Sequence, residues 1–127
     1  MTTVLDSWSV LAFLDGTEPA ATEVDALLAR ERPAISWINL GEVFYVVRRR
    51  HGEDAAVETL RDLRPAVDAL LPSVDLVLAA GRIKADHPLS YADAFAAATA
   101  IERLATLWTG DPELLVDGAP WAWRDLR

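Results

Sequence analysis

The sequence contains no cysteine, so disulfides, zinc–thiolate sites and thiol nucleophiles are excluded. Histidine is almost as scarce, with only His51 and His87, which disfavours a zinc or iron site. No run approaches the ~18 apolar residues that a membrane span needs. The apolar N-terminal stretch lacks a basic flank and is interrupted by Asp6, unlike a secretion signal. We therefore expect a cytoplasmic protein that has no contact with membranes.

Positive charge is also scarce, because 12 basic residues face 20 acidic ones and leave a net charge of −8. This balance argues against broad, nonspecific nucleic-acid binding through a basic surface. A local basic cluster does occur at 48–51. It suits either a solvated helix C-terminus, which the helix dipole favours, or a local nucleic-acid contact. With 127 residues, 52% of them hydrophobic, we expect one domain over residues 1–127.

Short apolar segments alternate with helical patterns along the chain. We predict strands at about 2–5, 34–37, 67–71, 105–109 and 121–126. We predict helices at about 8–14, 18–30, 39–50, 53–63, 74–84 and 91–105, and a short helical turn from Asp111. In the fifth helix, the residues expected to face inward are Val74, Val77, Leu78 and Gly81. The alternation predicts an α/β fold, a three-layer α/β/α sandwich around a short, mostly parallel sheet.

Four acidic residues stand where a strand pattern gives way to a helical one: Asp6, Glu42, Asp93 and Asp111. Ligand sites of parallel sheets lie at the carboxyl ends of the strands, so these acids can converge there. Four clustered carboxylates repel one another unless a hard cation lies among them. The pattern therefore predicts a Mg²⁺ or Mn²⁺ site in a hydrolase that acts on phosphate esters.

Each acid also has a purely structural explanation. Ser90 with Asp93, and Asn39 with Glu42, have the spacing of a capping box. Asp111 before a proline is a good N-cap. Both interpretations can hold together, because one carboxylate oxygen can accept from an amide while the other faces a cation.

Two hydroxyls adjoin the acids. Ser7 follows Asp6, and Thr109 ends a predicted strand two residues before Asp111. They are candidates for positioning a phosphate or a water. They serve equally well as a cap for the first helix and as a strand-end hydroxyl.

These segments resemble the motifs of the PIN-domain ribonucleases, specifically the VapC-like toxins of type II toxin–antitoxin pairs. The matching segments are Val4-Leu5-Asp6-Ser7, Ser36-Trp-Ile-Asn-Leu-Gly-Glu42, Leu89-Ser-Tyr-Ala-Asp93-Ala-Phe-Ala-Ala-Ala and Thr109-Gly-Asp-Pro-Glu113. Their order and spacing extend the resemblance over nearly the whole chain. Residues 53–72 match only as an outline of a helix and a strand.

The resemblance implies a PIN-like fold and a Mg²⁺-dependent endoribonuclease, with Mn²⁺ as the possible substitute. It also implies cleavage of tRNA, rRNA or mRNA, inhibition by a cognate antitoxin protein, and a homodimer. Asp6, Glu42, Asp93 and Asp111 match the family's acidic quartet, as catalytic residues and metal ligands. Glu113 falls where some relatives place a further acid.

Three other functions remain open on the sequence. A catalytically silent PIN-like binding domain would use the acids only as caps. A metal-dependent phosphatase or DNA nuclease would use the same metal chemistry. A receiver-like regulatory domain also clusters aspartates around Mg²⁺, but it needs a lysine near a late strand end, whereas Lys84, the only lysine, lies in a predicted helix.

Aromatic residues offer two uses that the sequence does not separate. The tryptophans that flank predicted strands, Trp37, Trp108, Trp121 and Trp123, suit either the core or stacking on bases or a partner. In the first helix Trp8, Leu11 and Phe13 suit an antitoxin or dimer contact.

Overall fold

The computed structural model describes residues 2–127. Its five strands are β1 (Thr3–Leu5), β2 (Ala34–Ser36), β3 (Asp68–Leu70), β4 (Thr106–Thr109) and β5 (Ala122–Asp125). Its six α-helices are α1 (Ser7–Asp15), α2 (Ala20–Arg30), α3 (Trp37–His51), α4 (Glu53–Leu63), α5 (Val74–Asp86) and α6 (Tyr91–Glu102). A 3₁₀ turn, Arg64–Ala66, follows α4. No helix of this part of the chain is long and apolar enough to cross a membrane.

The strands form a five-stranded sheet in the order β3-β2-β1-β4-β5, and every pairing is parallel. The first three strands therefore progress outward in one direction from β1, and β4 and β5 progress in the other. The reversal places a topological switch point between β1 and β4, where Leu5 is the register partner of Trp108. In open α/β sheets the crevice at the carboxyl ends of such strands is the usual ligand site.

The sheet is covered by helices on both faces. Side chains alternate along each strand, so Val4 and Leu107 pack with α5 and α6, whereas Leu5 and Trp108 pack with α1, α2, α3 and α4. The predicted three-layer α/β/α sandwich is confirmed, and the sheet is wholly parallel over residues 2–127.

Two helices begin earlier than predicted. The Asp6 side chain, not that of Ser7, caps α1 by accepting from Ser9 N. In α3 the cap is Ser36, whose hydroxyl accepts from Ile38 N, so the predicted capping box from Asn39 to Glu42 is wrong. In both cases the last polar residue of the strand end supplies the acceptor, and the helix starts directly after it.

The predicted inward face of α5 is wrong for Val74 and Leu78, whereas Val77 does pack against the core. The buried residues are Leu76, Ala80 and Ile83, whereas Val74 is 77% exposed and Leu78 is 52% exposed. The helix carries two apolar stripes, and the packing against α6 selects the one with the alanine. Helix α6 is buried from Asp93 to Ala100, and it ends at Glu102 rather than at Ala105 as predicted.

The two stripes of α5 give a direct test of this packing. Leu76→Ala should lower the free energy of unfolding by about 2–5 kcal/mol, because it opens a cavity between α5 and α6. Leu78→Ala removes the same atoms from an exposed position and should cost about 0.5 kcal/mol or less. Urea denaturation of both variants measures the difference, and equal losses would contradict the observed face.

Candidate metal centre

Asp6 lies at the carboxyl end of β1 and is fully buried, with 0% of its surface exposed. One carboxylate oxygen accepts from Ser9 N at 2.8 Å, and the Ser9 hydroxyl contacts the Asp6 backbone in a reciprocal capping box. The other oxygen accepts from the Thr109 hydroxyl. These contacts fix the carboxylate between β1, α1 and β4.

Thr109 connects Asp6 to the turn that follows β4. Its hydroxyl donates to Asp6 and accepts from Asp111 N at 3.0 Å. Asp111 in turn accepts from Glu113 N at 3.0 Å through Oδ1, and the predicted short turn from Asp111 is closed by Leu114 N donating to the Asp111 carbonyl at 3.0 Å. The Thr109 hydroxyl therefore contacts both Asp6 and Asp111, which are 105 residues apart in the chain (111 − 6), and sets the distance between them.

Asp93 enters the same site from the first turn of α6. It is buried, and its backbone N–H donates to the Ser90 hydroxyl at 3.1 Å, which forms one half of the predicted capping box. Its carboxylate contacts Asp111 and also the Ser90 hydroxyl at the helix N-terminus. Carboxylate oxygens of Asp93, Asp111 and Glu113 all lie within 4.8 Å of one another.

Glu42 lies outside this tight group. It comes from the second turn of α3, accepts from the Ser7 hydroxyl through Oε1, and receives the Tyr45 hydroxyl at 3.4 Å through Oε2. Because Ser7 follows Asp6, this contact places Glu42 beside the site, connected to it through the Ser7 hydroxyl. The structure thus brings Asp6, Asp93 and Asp111 together and attaches Glu42 through a hydroxyl.

Burial and like charge raise the affinity of the site for protons. Desolvation raises the pKa of Asp6 to about 6, against the lowering effect of the hydrogen bonds from Thr109 and Ser9. The pKa of Asp93 rises to about 8, first through desolvation and then through its contact with Asp111. Asp93 therefore carries a proton at neutral pH unless a cation takes its place.

The donor set fits a hard divalent cation. Every candidate ligand is a carboxylate oxygen, the donor type that Mg²⁺ and Mn²⁺ prefer. A second observation agrees with a hydrated ion. Asn39 is fully buried and donates to the Ala92 carbonyl, next to Asp93, at 3.0 Å, yet its Oδ1 has no protein partner. Buried oxygens of this kind are ordinarily satisfied by ordered water.

Gly110 allows the turn after β4 to lie under an aromatic ring. A Cβ placed on Gly110 would overlap three carbon atoms of the six-membered ring of Trp8. Trp8 belongs to α1, directly after the Asp6-Ser7 pair, so the ring presses on the backbone between Thr109 and Asp111. This contact adds a steric support to the hydrogen bonds that position Asp111.

Sequence reasoning did not identify several of these supports. No motif marks the contact of Trp8 with Gly110, and Asn39 is predicted only as the cap of a box with Glu42. Ser9 had one available signal, a polar residue three positions after an acid at a helix start. Of the four tryptophans that flank strands, Trp108 and Trp121 are buried, and Trp37 and Trp123 are half-buried and pack against the core.

Most of the chain matches a protein-family model. A family model described as PIN domain matches residues 3–116. A search of curated proteins finds no match.

Solved structures share the fold at low sequence identity. VapBC2 from Rickettsia felis, bound to a DNA fragment from its promoter, is 18% identical with a TM-score of 0.78, and 98% of each chain is covered. VapC20 from Mycobacterium tuberculosis, described as a sarcin–ricin loop cleaving toxin, is 19% identical with a TM-score of 0.75, covering 92% of this chain and 95% of that one. VapBC-1 from nontypeable Haemophilus influenzae is 22% identical with a TM-score of 0.75, covering 99% and 98%.

The contact of Trp8 with Gly110 is testable by a double-mutant cycle. Gly110→Ala should lower the free energy of unfolding by about 1–3 kcal/mol, because the new methyl group overpacks against the indole. In a Trp8→Ala background the same methyl group has room, so its cost should nearly vanish. Urea denaturation of the four proteins gives the coupling energy, and strictly additive losses would refute the contact.

The raised pKa values set a pH dependence for the metal-free protein. Asp6 and Asp93 titrate at about 6 and 8 when folded, compared with the ordinary value of 3.8. The folded state therefore holds protons more tightly, and this stability is complete below about pH 4 and lost as the pH rises to about 8. In EDTA, Tm should fall over this range, and Mn²⁺ should raise Tm most at the alkaline end.

Asp93→Asn should remove the part of this fall that lies between about pH 6 and 8, because an amide does not ionise. Asp75→Asn, an exposed acid on α5, is the matched control and should leave the pH profile unchanged. A wild-type Tm that does not fall relative to that of Asp93→Asn would show that Asp93 is not desolvated as described.

Proposed function

The chain belongs to the PIN domain family, and from this membership we propose that it is a metal-dependent endoribonuclease that acts as the toxin of a toxin–antitoxin pair. The observation that carries the proposal is the group of carboxylates at the switch point between β1 and β4. The burial of Asp93, with Asp111 and Asp6 as acidic neighbours, supports a cation at this place, which a set of separate helix caps would not need.

We propose that Asp93 and Asp111 bind the cation, and that Glu113 and the buried Asp6 add negative charge around it. Mg²⁺ or Mn²⁺ would supply charge compensation to the scissile phosphate and acidify water in its shell. Asp6 cannot turn away, because Ser9 N and the Thr109 hydroxyl hold both of its oxygens. The role of Asp6 is to keep the negative charge around the cation in a fixed position as the phosphate gains charge.

Glu42 is the carboxylate that we assign to proton transfer. It lies outside the tight group, and Ser7 orients it from the α1 side. A carboxylate that does not ligate the cation keeps a lone pair for the proton of the attacking water. Water on the unpartnered Asn39 Oδ1 would add a polar contact beside Asp93.

The substrate and partner assignments take support from the similar structures. One carries the description of a toxin that cleaves a sarcin–ricin loop, and others are VapBC proteins. We propose that this chain, as one domain over residues 1–127, likewise cuts tRNA, rRNA or mRNA in the cytoplasm, as a homodimer held inactive by an antitoxin protein. A cavity of about 810 Å³ between α3 and α4, lined by Trp37, Leu40, Phe44 and Leu60, offers an apolar surface for such a partner.

The activity is tested with single-stranded RNA, tRNA, single-stranded DNA and a phosphate monoester as substrates in Mg²⁺ or Mn²⁺. We expect cleavage of RNA that Asp93→Asn and Asp6→Asn each lower on the order of 10²–10³-fold, since each removes charge that the cation and transition state require. Asp75→Asn is the control and should cleave as the wild type does. Circular dichroism checks that each variant folds.

Three outcomes would contradict the proposal. Full activity of Asp93→Asn would remove that residue from the site. Faster hydrolysis of DNA or of the monoester than of RNA would move the chain to another class of phosphoesterase. Calorimetry that detects no Mn²⁺ site lost in Asp93→Asn, together with no cleavage of any substrate, would identify a catalytically silent binding domain.

A further inference from the structure

Three side chains form a continuous strip along the outer face of α3, starting at the proposed site. Glu42, Tyr45 and Arg49 are spaced i, i+3 and i+7, which places them on one face of the helix. The Tyr45 hydroxyl reaches Glu42 Oε2 at 3.4 Å, and the Arg49 guanidinium lies over the Tyr45 ring at 4.9 Å from its centroid. Tyr45 is 45% exposed. The strip thus runs from a carboxylate of the site to a cation about two helical turns away.

Arg49 differs from the arginines beside it in how its charge is used. Arg48 pairs with Glu53 at 2.7 Å, and Arg50 pairs with Asp15 at 3.2 Å. Within residues 2–127 Arg49 forms no salt bridge, and its contact is the ring of Tyr45. Stacking leaves the outward N–H groups of a guanidinium available for an anion.

We propose that Tyr45 and Arg49 form the contact surface for the RNA strand next to the cleaved bond, an inference that rests on the proposed nuclease function. A base stacks on the exposed part of the Tyr45 ring, and Arg49 pairs with a phosphate farther along the strand. The hydrogen bond from Tyr45 to Glu42 ties the position of this base to the carboxylate assigned to proton transfer.

Charge favours an RNA strand over a protein segment as the occupant. The protein carries a net charge of −8, and the proposed site is itself acidic, so a polyanion needs a nearby cation to approach. Arg49 supplies one beside an exposed aromatic ring, and this pairing of stacking with a phosphate contact is how single strands are bound without sequence readout. The cavity between α3 and α4 also holds arginines, Arg61 and Arg64, but its lining includes none of the three residues of the strip.

Binding is measured in the Asp93→Asn background, in which we expect cleavage to be slowed on the order of 10²–10³-fold, by fluorescence anisotropy of a labelled RNA that the wild-type protein cleaves. Tyr45→Ala should weaken binding about tenfold, whereas Tyr45→Phe should keep most of it because the ring remains. Arg49→Gln should weaken binding and reduce the slope of log K against log salt by about 0.7, the value for one phosphate contact on a single strand. Arg82→Gln, an exposed arginine of α5 on the opposite face of the sheet, is the charge-matched control.

Kinetics and stability distinguish this role from a structural one. With Asp93 restored, Arg49→Gln should raise KM with little change in kcat, and Tm should stay at the wild-type value because the side chain is exposed. If the wild type cleaves RNA while Tyr45→Ala and Arg49→Gln bind and cleave as Arg82→Gln does, the inference is overturned. Unchanged RNA binding with lost inhibition by an antitoxin protein would overturn it in favour of a protein contact. A wild type that neither binds nor cleaves RNA would overturn the proposed function and this inference together.

Discussion

The hydrogen bond from the Thr109 hydroxyl to the buried Asp6 carboxylate is the contact on which the site depends. It joins the end of β1 to the end of β4, the two strands that flank the switch point. The same hydroxyl accepts from Asp111 N, so one side chain sets the separation of two acids. Trp8 reinforces this arrangement, because its ring leaves room for no side chain at position 110.

Holding these carboxylates in the protein interior costs solvation, which raises the pKa values of Asp6 and Asp93. Natural proteins accept such a cost where a buried charge has a function. A set of helix caps needs no such convergence, since each cap requires only its own helix. The coupling of Asp93 to Asp111, across α6 and the turn after β4, is therefore the feature that points beyond capping.

Aromatic rings hold several arginine side chains in this acidic protein. Arg30 and Arg124 both lie over the Trp108 ring, Arg64 lies over Trp37, and Arg49 lies over Tyr45. A guanidinium on an aromatic face needs no carboxylate partner to be held in place. Two of the five tryptophans, Trp37 and Trp108, thus hold arginines in addition to packing against the core.

The sequence by itself determined the alternation of strands and helices, the bounds of α4, and the positions of Asp6 and Asp111 after strands and of Asp93 in the first turn of a helix, because these depend on local periodicity and capping. It could not select between the two apolar stripes of α5, and it placed the start of α3 two residues late, because both depend on what the helix packs against. Only the tertiary structure decided that Asp93, Asp111 and Glu113 lie together, while Glu42 lies outside this group and accepts a hydrogen bond from Ser7. Strand order and helix docking set those distances, and both arise from burial shared among segments far apart in the chain.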